Sequence, residues 1–150
     1  MTTIAYKNGI IAYDSRTTID GTIFTDQKEK RVFSGGVNFF LCGADADYDC
    51  FINAYLLNDW VVDVDLDVLA ITSENSGAYY VMTSVDTDGK YRISRQKLND
   101  RDIWAIGSGG RFARAFMTAG YSAKDAVEKT KLLDVYTGGE VKTFEVPRIN

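Results

Sequence analysis

The chain has 150 residues, 45% of them hydrophobic and 25% charged, with a formal net charge of −4. This size and balance fit one domain, residues 1–150, around one sizeable core, and an acidic chain without a clustered basic stretch argues against nucleic-acid binding. Histidine is absent, which excludes Ser–His–Asp and Cys–His triads and most zinc centres, so acid–base chemistry must come from carboxylates, lysines, an amine or hydroxyls. No metal or cofactor is expected. Cys42 and Cys50 lie in apolar stretches and read as two buried thiols in a reducing cytoplasm rather than as a disulfide framework. No apolar run reaches the ~18 residues needed to span a bilayer. The N-terminus has no signal-peptide pattern, so a cytoplasmic protein without membrane contact is expected.

The first half reads as strands. Thr3 to Tyr6 is a β-rich run, Asn8-Gly9 is a strong two-residue hairpin signal, and Ile10 to Tyr13 answers as the second strand. Asp20-Gly21 marks a turn before Thr22-Ile23-Phe24, and Ser34-Gly35-Gly36 separates Arg31-Val32-Phe33 from Val37 to Cys42. The period then changes. Tyr48, Phe51, Ile52, Tyr55 and Leu56 recur at helical spacing within residues 44–58, and Asp45, Asp47 and Asp49 crowd the start, where negative charge suits the helix dipole. Residues 60–68 alternate like a strand or extended segment. Strands resume near Val68 to Ile71, Ala78 to Met82 and Tyr91 to Ile93, with Asp86-Thr87-Asp88-Gly89 as the loop between the last two.

Ile103 to Ile106 is a short strand ending at Gly107-Ser108-Gly109-Gly110. A helix through Phe112, Ala113, Phe116 and Met117 stops at Gly120. Ser122 caps the next, with Asp125 as its box-like partner, and Ala123, Ala126, Val127 and Leu133 form the apolar face. A last strand, Val141 to Val146, closes at Pro147. The order argues for an α+β protein with a largely antiparallel sheet.

Four local patterns carry chemistry. Thr2-Thr3-Ile4 follows the initiator methionine. Removal of Met1 leaves a threonine whose own α-amine titrates near ~8 and can serve as base for the hydroxyl on the same residue. Asp14-Ser15-Arg16-Thr17 ends the second strand; alone it reads rather as a surface turn in which aspartate and serine cap backbone amides. Gly107-Ser108-Gly109-Gly110 lets the backbone approach another group closely, although by itself it is also a common turn. Asp134-x-Tyr136-Thr137-Gly138-Gly139 reads alone as a helix end followed by a glycine hairpin.

Together these segments resemble proteasome β-type subunits and the proteasome-like peptidase subunit of the bacterial ATP-dependent protease. The matching stretches are Thr2-Thr3-Ile4, Asn8 to Arg16, Phe40-Leu41-Cys42-Gly43-Ala44-Asp45-Ala46-Asp47, Ala105 to Gly110 and Asp134 to Val141, and the likeness is weakest over residues 58–102. The resemblance implies a four-layer αββα sandwich of the N-terminal-nucleophile (Ntn) hydrolase type and a threonine-dependent peptidase. By the matched positions, Thr2 would be the nucleophile and its amine the general base. Asp14 would hold a lysine that lowers the pKa of the amine, and Ser108 would hydrogen-bond the terminal amine. Asp134 and Thr137 would orient it, with threonine here in place of the family's serine, and the Gly43 N–H would form the oxyanion hole. Thr17, Leu41, Asp45 and Asp49 fall near the first specificity pocket. An acidic pocket built by Asp45 and Asp49 would favour a basic residue before the scissile bond, whereas the alternative is that both simply complement a helix start.

The chain departs from the family pattern twice. Lys30 lies sixteen positions after Asp14, the family's separation, but Arg31 holds the place directly before the apolar strand residue Val32. A one-residue slip in a strand turns the side chain to the other face, and an arginine cannot shuttle a proton, so Lys30 is the expected lysine. Further, one helix is visible between Gly43 and Gly107 where the family has a pair. That layer contributes to contacts between stacked rings, so its reduction bears on assembly rather than chemistry. The resemblance implies peptide or protein substrates and a homo-oligomer, and leaves room for an ATP-dependent unfoldase partner. Two other readings remain open at this stage: a catalytically silent binding or assembly subunit, and a small-molecule Ntn amidohydrolase.

Overall fold

The computed structural model describes residues 2–85 and 88–148. Two antiparallel sheets form its middle. In the first, β1 (Thr3–Lys7) and β2 (Ile10–Tyr13) make the expected hairpin. Asn8 and Gly9 adopt φ of 53° and 74°, the paired positive values that a tight turn between twisted strands requires. β11 (Ile103–Gly107) pairs with the free side of β1 and β12 (Lys142–Glu145) with that of β2, giving the order β11-β1-β2-β12. The second sheet has the order β5-β6-β8-β9-β10-β7, from β5 (Arg31–Ser34), β6 (Val37–Gly43), β7 (Val61–Val62), β8 (Val68–Glu74), β9 (Gly77–Val85) and β10 (Tyr91–Leu98). A separate hairpin, β3 (Thr17–Ile19) with β4 (Thr22–Thr25), stands off from both. β3 carries no apolar alternation that would announce it.

Three apolar clusters define four layers. Ile4, Tyr6, Ile11 and Tyr13 meet Phe40, Cys42 and Ile71 between the sheets. Ala5, Ala12 and Ala105, on the opposite face of the first sheet, admit α2 (Gly110–Thr118) and α3 (Ala123–Thr130) at close range through Ala113, Met117, Ala126 and Val127. The small alanine face against two helices and the bulky face against the other sheet follow from the period-two alternation of β1 and β2. On the far side, Phe39, Leu41, Ala70 and Val81 pack against Phe51, Ile52 and Tyr55 of α1 (Tyr48–Leu56). The arrangement is the αββα sandwich implied by the resemblance.

Four local expectations are corrected. Of the alternating stretch 60–68, Val61–Val62 form a two-residue edge strand and Val68 opens β8, while Leu66 joins the core under α1. Leu133 is 55% exposed because α3 ends at Thr130. Cys50 is exposed, facing away from the sheet that buries Cys42. Asp45 belongs to a 3₁₀ turn, Asp45–Asp47, that precedes α1. Ser122 caps α3 by accepting from the Asp125 N–H at 3.1 Å, as the sequence predicts. Asp86 and Thr87 of the expected loop lie outside the described residues. Among the described residues, α1 is the single α-helix between Gly43 and β8, and no helix is long and apolar enough to cross a membrane.

Candidate active site

The site sits where β1 begins. Thr2 is 6% exposed and Thr3 opens the strand, so the backbone carrying Thr2 is fixed by sheet pairing on both sides of β1. Asp14 follows the last residue of β2, which pairs with Ile4, and is fully buried. Its Oδ1 accepts from Lys30 Nζ at 2.7 Å and from the Thr3 N–H at 3.1 Å. Its Oδ2 accepts from the Gly138 N–H at 3.0 Å and more distantly from that of Arg16. Four donors on one carboxylate satisfy its oxygens and offset the cost of burying it.

Lys30 lies just before β5 and is itself 6% exposed. Its Nζ donates to Thr2 Oγ1 at 2.6 Å as well as to Asp14. Burial lowers the Lys30 pKa below the ordinary lysine value, while Asp14 opposes the shift. Arg31, the alternative at this position, is exposed and lies over the Phe144 ring at 5.6 Å. The structure thus places Lys30, and not Arg31, against Thr2.

A second carboxylate closes the other side. Asp134 lies in the turn after α3, with its N–H bonded back to Thr130 O at 2.9 Å. Its Oδ2 accepts from Ser108 Oγ and from Thr137 Oγ1, both at 2.7 Å. Thr137 Oγ1 also lies 2.6 Å from Thr3 Oγ1. A hydroxyl has one proton; Thr137 gives its proton to Asp134, so Thr3 donates to Thr137. Thr3 therefore ties both carboxylate networks to one backbone unit, by its amide to Asp14 and by its hydroxyl to Thr137. Sequence reasoning assigned Thr3 no role. The doubled threonine at the terminus was the signal for it.

Glycines make this closeness available. A Cβ on Gly107 would collide with the Thr2 carbonyl, and one on Gly109 with the hydroxyls of Thr3 and Thr137. Gly43 ends β6 with φ 116°, where a Cβ would meet the Asp67 carbonyl.

Two cavities meet at Thr2 and Gly43. One, of about 200 Å³, is lined by Thr17, Leu41 and Asp45, together with Lys28, Glu29 and Tyr48, which sequence reasoning did not single out. Asp49 is exposed in the first turn of α1 and is not part of that lining. The other, of about 400 Å³, is lined by Cys42, Leu69, Gly107 and Ser108. Burial pushes the Cys42 thiol up to about 12, so it offers no competing thiolate at neutral pH. Met1, whose removal would free the Thr2 amine, lies outside the described residues.

A buried hydroxyl held by a lysine–aspartate pair lies at the start of a central strand, within an αββα sandwich, and the fold is of the Ntn-hydrolase type. Among solved structures, Thiobacillus denitrificans BPH in complex with epoxomicin matches with a TM-score of 0.65 and 17% identity, over 98% of this chain and 99% of that one. A eukaryotic HslV from Trypanosoma brucei matches at 0.64 and 20% identity, over 96% and 98%. A further Thiobacillus denitrificans BPH structure matches at 0.61 and 18% identity, over 97% and 98%. No protein-family model and no curated protein matches the chain. The likeness is one of shape, and it establishes the proteasome-like fold.

Proposed function

We propose that the protein is an N-terminal threonine hydrolase that cleaves peptide bonds with Thr2 as nucleophile. One observation carries this reading: Lys30 Nζ bridges Thr2 Oγ1 and the buried Asp14 at 2.6 and 2.7 Å. A structural ion pair has no need to reach a terminal threonine hydroxyl.

Once Met1 is removed, the Thr2 amine takes the proton from Oγ1, and Oγ1 attacks the substrate carbonyl. Lys30, cationic beside Asp14, stabilises the developing negative charge on Oγ1 and lowers the basicity of the amine by like-charge proximity. The Gly43 N–H is the proposed donor to the oxyanion. The ammonium then returns its proton to the leaving nitrogen, and the acyl group remains as an ester on Thr2. Water, deprotonated by the same amine, releases it. Ser108, Asp134 and Thr137 keep the terminal residue in place, and the cavity lined by Thr17, Leu41 and Asp45 receives the acyl-side residue.

As the sequence resemblance implies, the protein would assemble as a homo-oligomer in the cytoplasm, with an ATP-dependent unfoldase as its supplier of protein substrates. The test is peptide turnover by Met1-free protein. Wild type should hydrolyse fluorogenic peptides and Thr2→Ala should not, with unchanged folding. Equal turnover by the two, or none by wild type, would leave a binding subunit as the better reading.

A further inference from the structure

Beyond the cavity shared by Thr2, Gly43 and Ser108 lies another of about 340 Å³. The two have Leu69, Gly107 and Ser108 in common and so adjoin one another. The outer one is walled by Tyr80, Trp104, Arg111 and Arg114, and no carboxylate lines it. Arg114 of α2 lies over the Trp104 indole at 4.8 Å. Trp104 Nε1 and Arg114 Nε are both buried and have no hydrogen-bond partner. Neither Arg111 nor Arg114 is paired with a carboxylate among the described residues. Buried donors left unmatched are uncommon in folded proteins and point to a missing acceptor. Two guanidinium groups with no carboxylate beside them call for an anionic one.

We infer that this outer cavity is the leaving-side subsite of the substrate and binds a carboxylate of the leaving fragment. This rests on the proposed hydrolase reading, which also fixes the direction. The Thr2 amine that removes the proton from Oγ1 must return it to the leaving nitrogen. The leaving nitrogen therefore lies on the amine's side, with Ser108, and the chain beyond it runs into the cavity that Ser108 shares with Arg114. The acyl side occupies the other cavity, which also touches Thr2 and Gly43 but not Ser108. The carboxylate accepts from the Arg114 guanidinium, with Arg111 adding charge at the rim. Peptides cut close to their C-terminus, or carrying an acidic residue just after the scissile bond, are the substrates this favours.

The test measures binding apart from turnover. Calorimetric titration of intact Met1-free protein would use three leaving-fragment mimics: Ala-Leu with a free carboxylate, Ala-Leu amide, and Ala-Glu with its C-terminus amidated. At least one carboxylate-bearing mimic should bind tenfold or more tightly than Ala-Leu amide, and which one does so separates a terminal from a side-chain carboxylate. Arg114→Met should abolish the preference, while Arg101→Met, outside the cavity, should retain it. Equal binding of all three mimics, no binding of any, or a preference that survives Arg114→Met would overturn the inference. Should Arg114→Met misfold, Arg111→Met together with the wild-type comparison decides, and a preference unaffected by Arg111→Met would then count against it. If wild type binds the carboxylate selectively yet hydrolyses no peptide, the subsite stands and the hydrolase reading fails.

Discussion

Lys30 is the residue on which the site turns. Lys30→Ala removes the cation beside Thr2 and leaves Asp14 buried without its partner. Activity should fall by two orders of magnitude or more, and stability by about 3 kcal/mol, as read by peptide turnover and denaturant unfolding. Arg31→Ala should change turnover less than threefold, since its guanidinium faces solvent above Phe144. The lowered pKa of Lys30 also sets a pH dependence. A cationic Lys30 is present below its folded-state pKa and is lost as pH rises through it, so the alkaline limb of turnover should begin below the ordinary lysine value of 10.5. The same shift makes the unfolded chain bind more protons between those two values, and stability should rise with pH there relative to Lys30→Met. Thr3 supplies the other residue-scale test. Thr3→Val keeps the shape but removes the donor to Thr137, and should lower kcat about tenfold at near-constant KM; Thr3→Ser should restore most of it.

The elements divide by how strongly local signals constrain them. The β1–β2 hairpin was legible because Asn8-Gly9 forces one turn type, and α3 because Ser122 caps it. The β3–β4 hairpin was half legible, since Asp20-Gly21 gives the turn but Thr17 and Thr18 give no period. Residues 60–68 misled because alternation there serves two purposes: Leu66 and Val68 bury under α1 while Val64 stays 52% exposed. Periodicity alone does not tell an edge strand from a loop with anchored residues. For the site, Asp14, Ser108, Asp134 and Thr137 were named from their matched segments, and Lys30 from its spacing after Asp14 and the inability of Arg31 to shuttle a proton. Thr3 was not, although it stands beside Thr2 in the doubled threonine, and neither were the cavity-lining Lys28 and Glu29, since only the fold brings those two to Thr2. Gly107, with φ 91°, makes the closest backbone approach. Gly107→Ala should cost about 2–4 kcal/mol, seen as a lowered Tm, and should displace Thr2 enough to abolish turnover.

At the scale of the whole molecule, the notable surface is apolar. Ile19, Ile23 and Phe24 on the β3–β4 hairpin and Leu132 and Val135 near the site are exposed by 50–84%. Arg16 links the two regions, donating to Asp26 at 2.7 Å and to Val135 O at 2.9 Å. Apolar side chains grouped in this way mark association surfaces. Phe24→Asp should shift the protein to smaller species in sedimentation velocity while leaving the secondary structure unchanged; an unaltered sedimentation profile would remove the hairpin from the interface. Among the described residues the side occupied by α1 has one helix where the family resemblance implies two, so any stacking through that layer should be weak.

The central claim is that one residue, Thr2, supplies both nucleophile and base. A peptide epoxyketone tests it directly, since it needs the hydroxyl and the free amine of the same threonine. Intact-mass and peptide-mapping spectrometry of treated protein should show a chain lacking Met1 with one adduct on Thr2, absent from Thr2→Ala. A chain free of Met1, correctly folded, whose Thr2 stays unmodified under saturating reagent would contradict it.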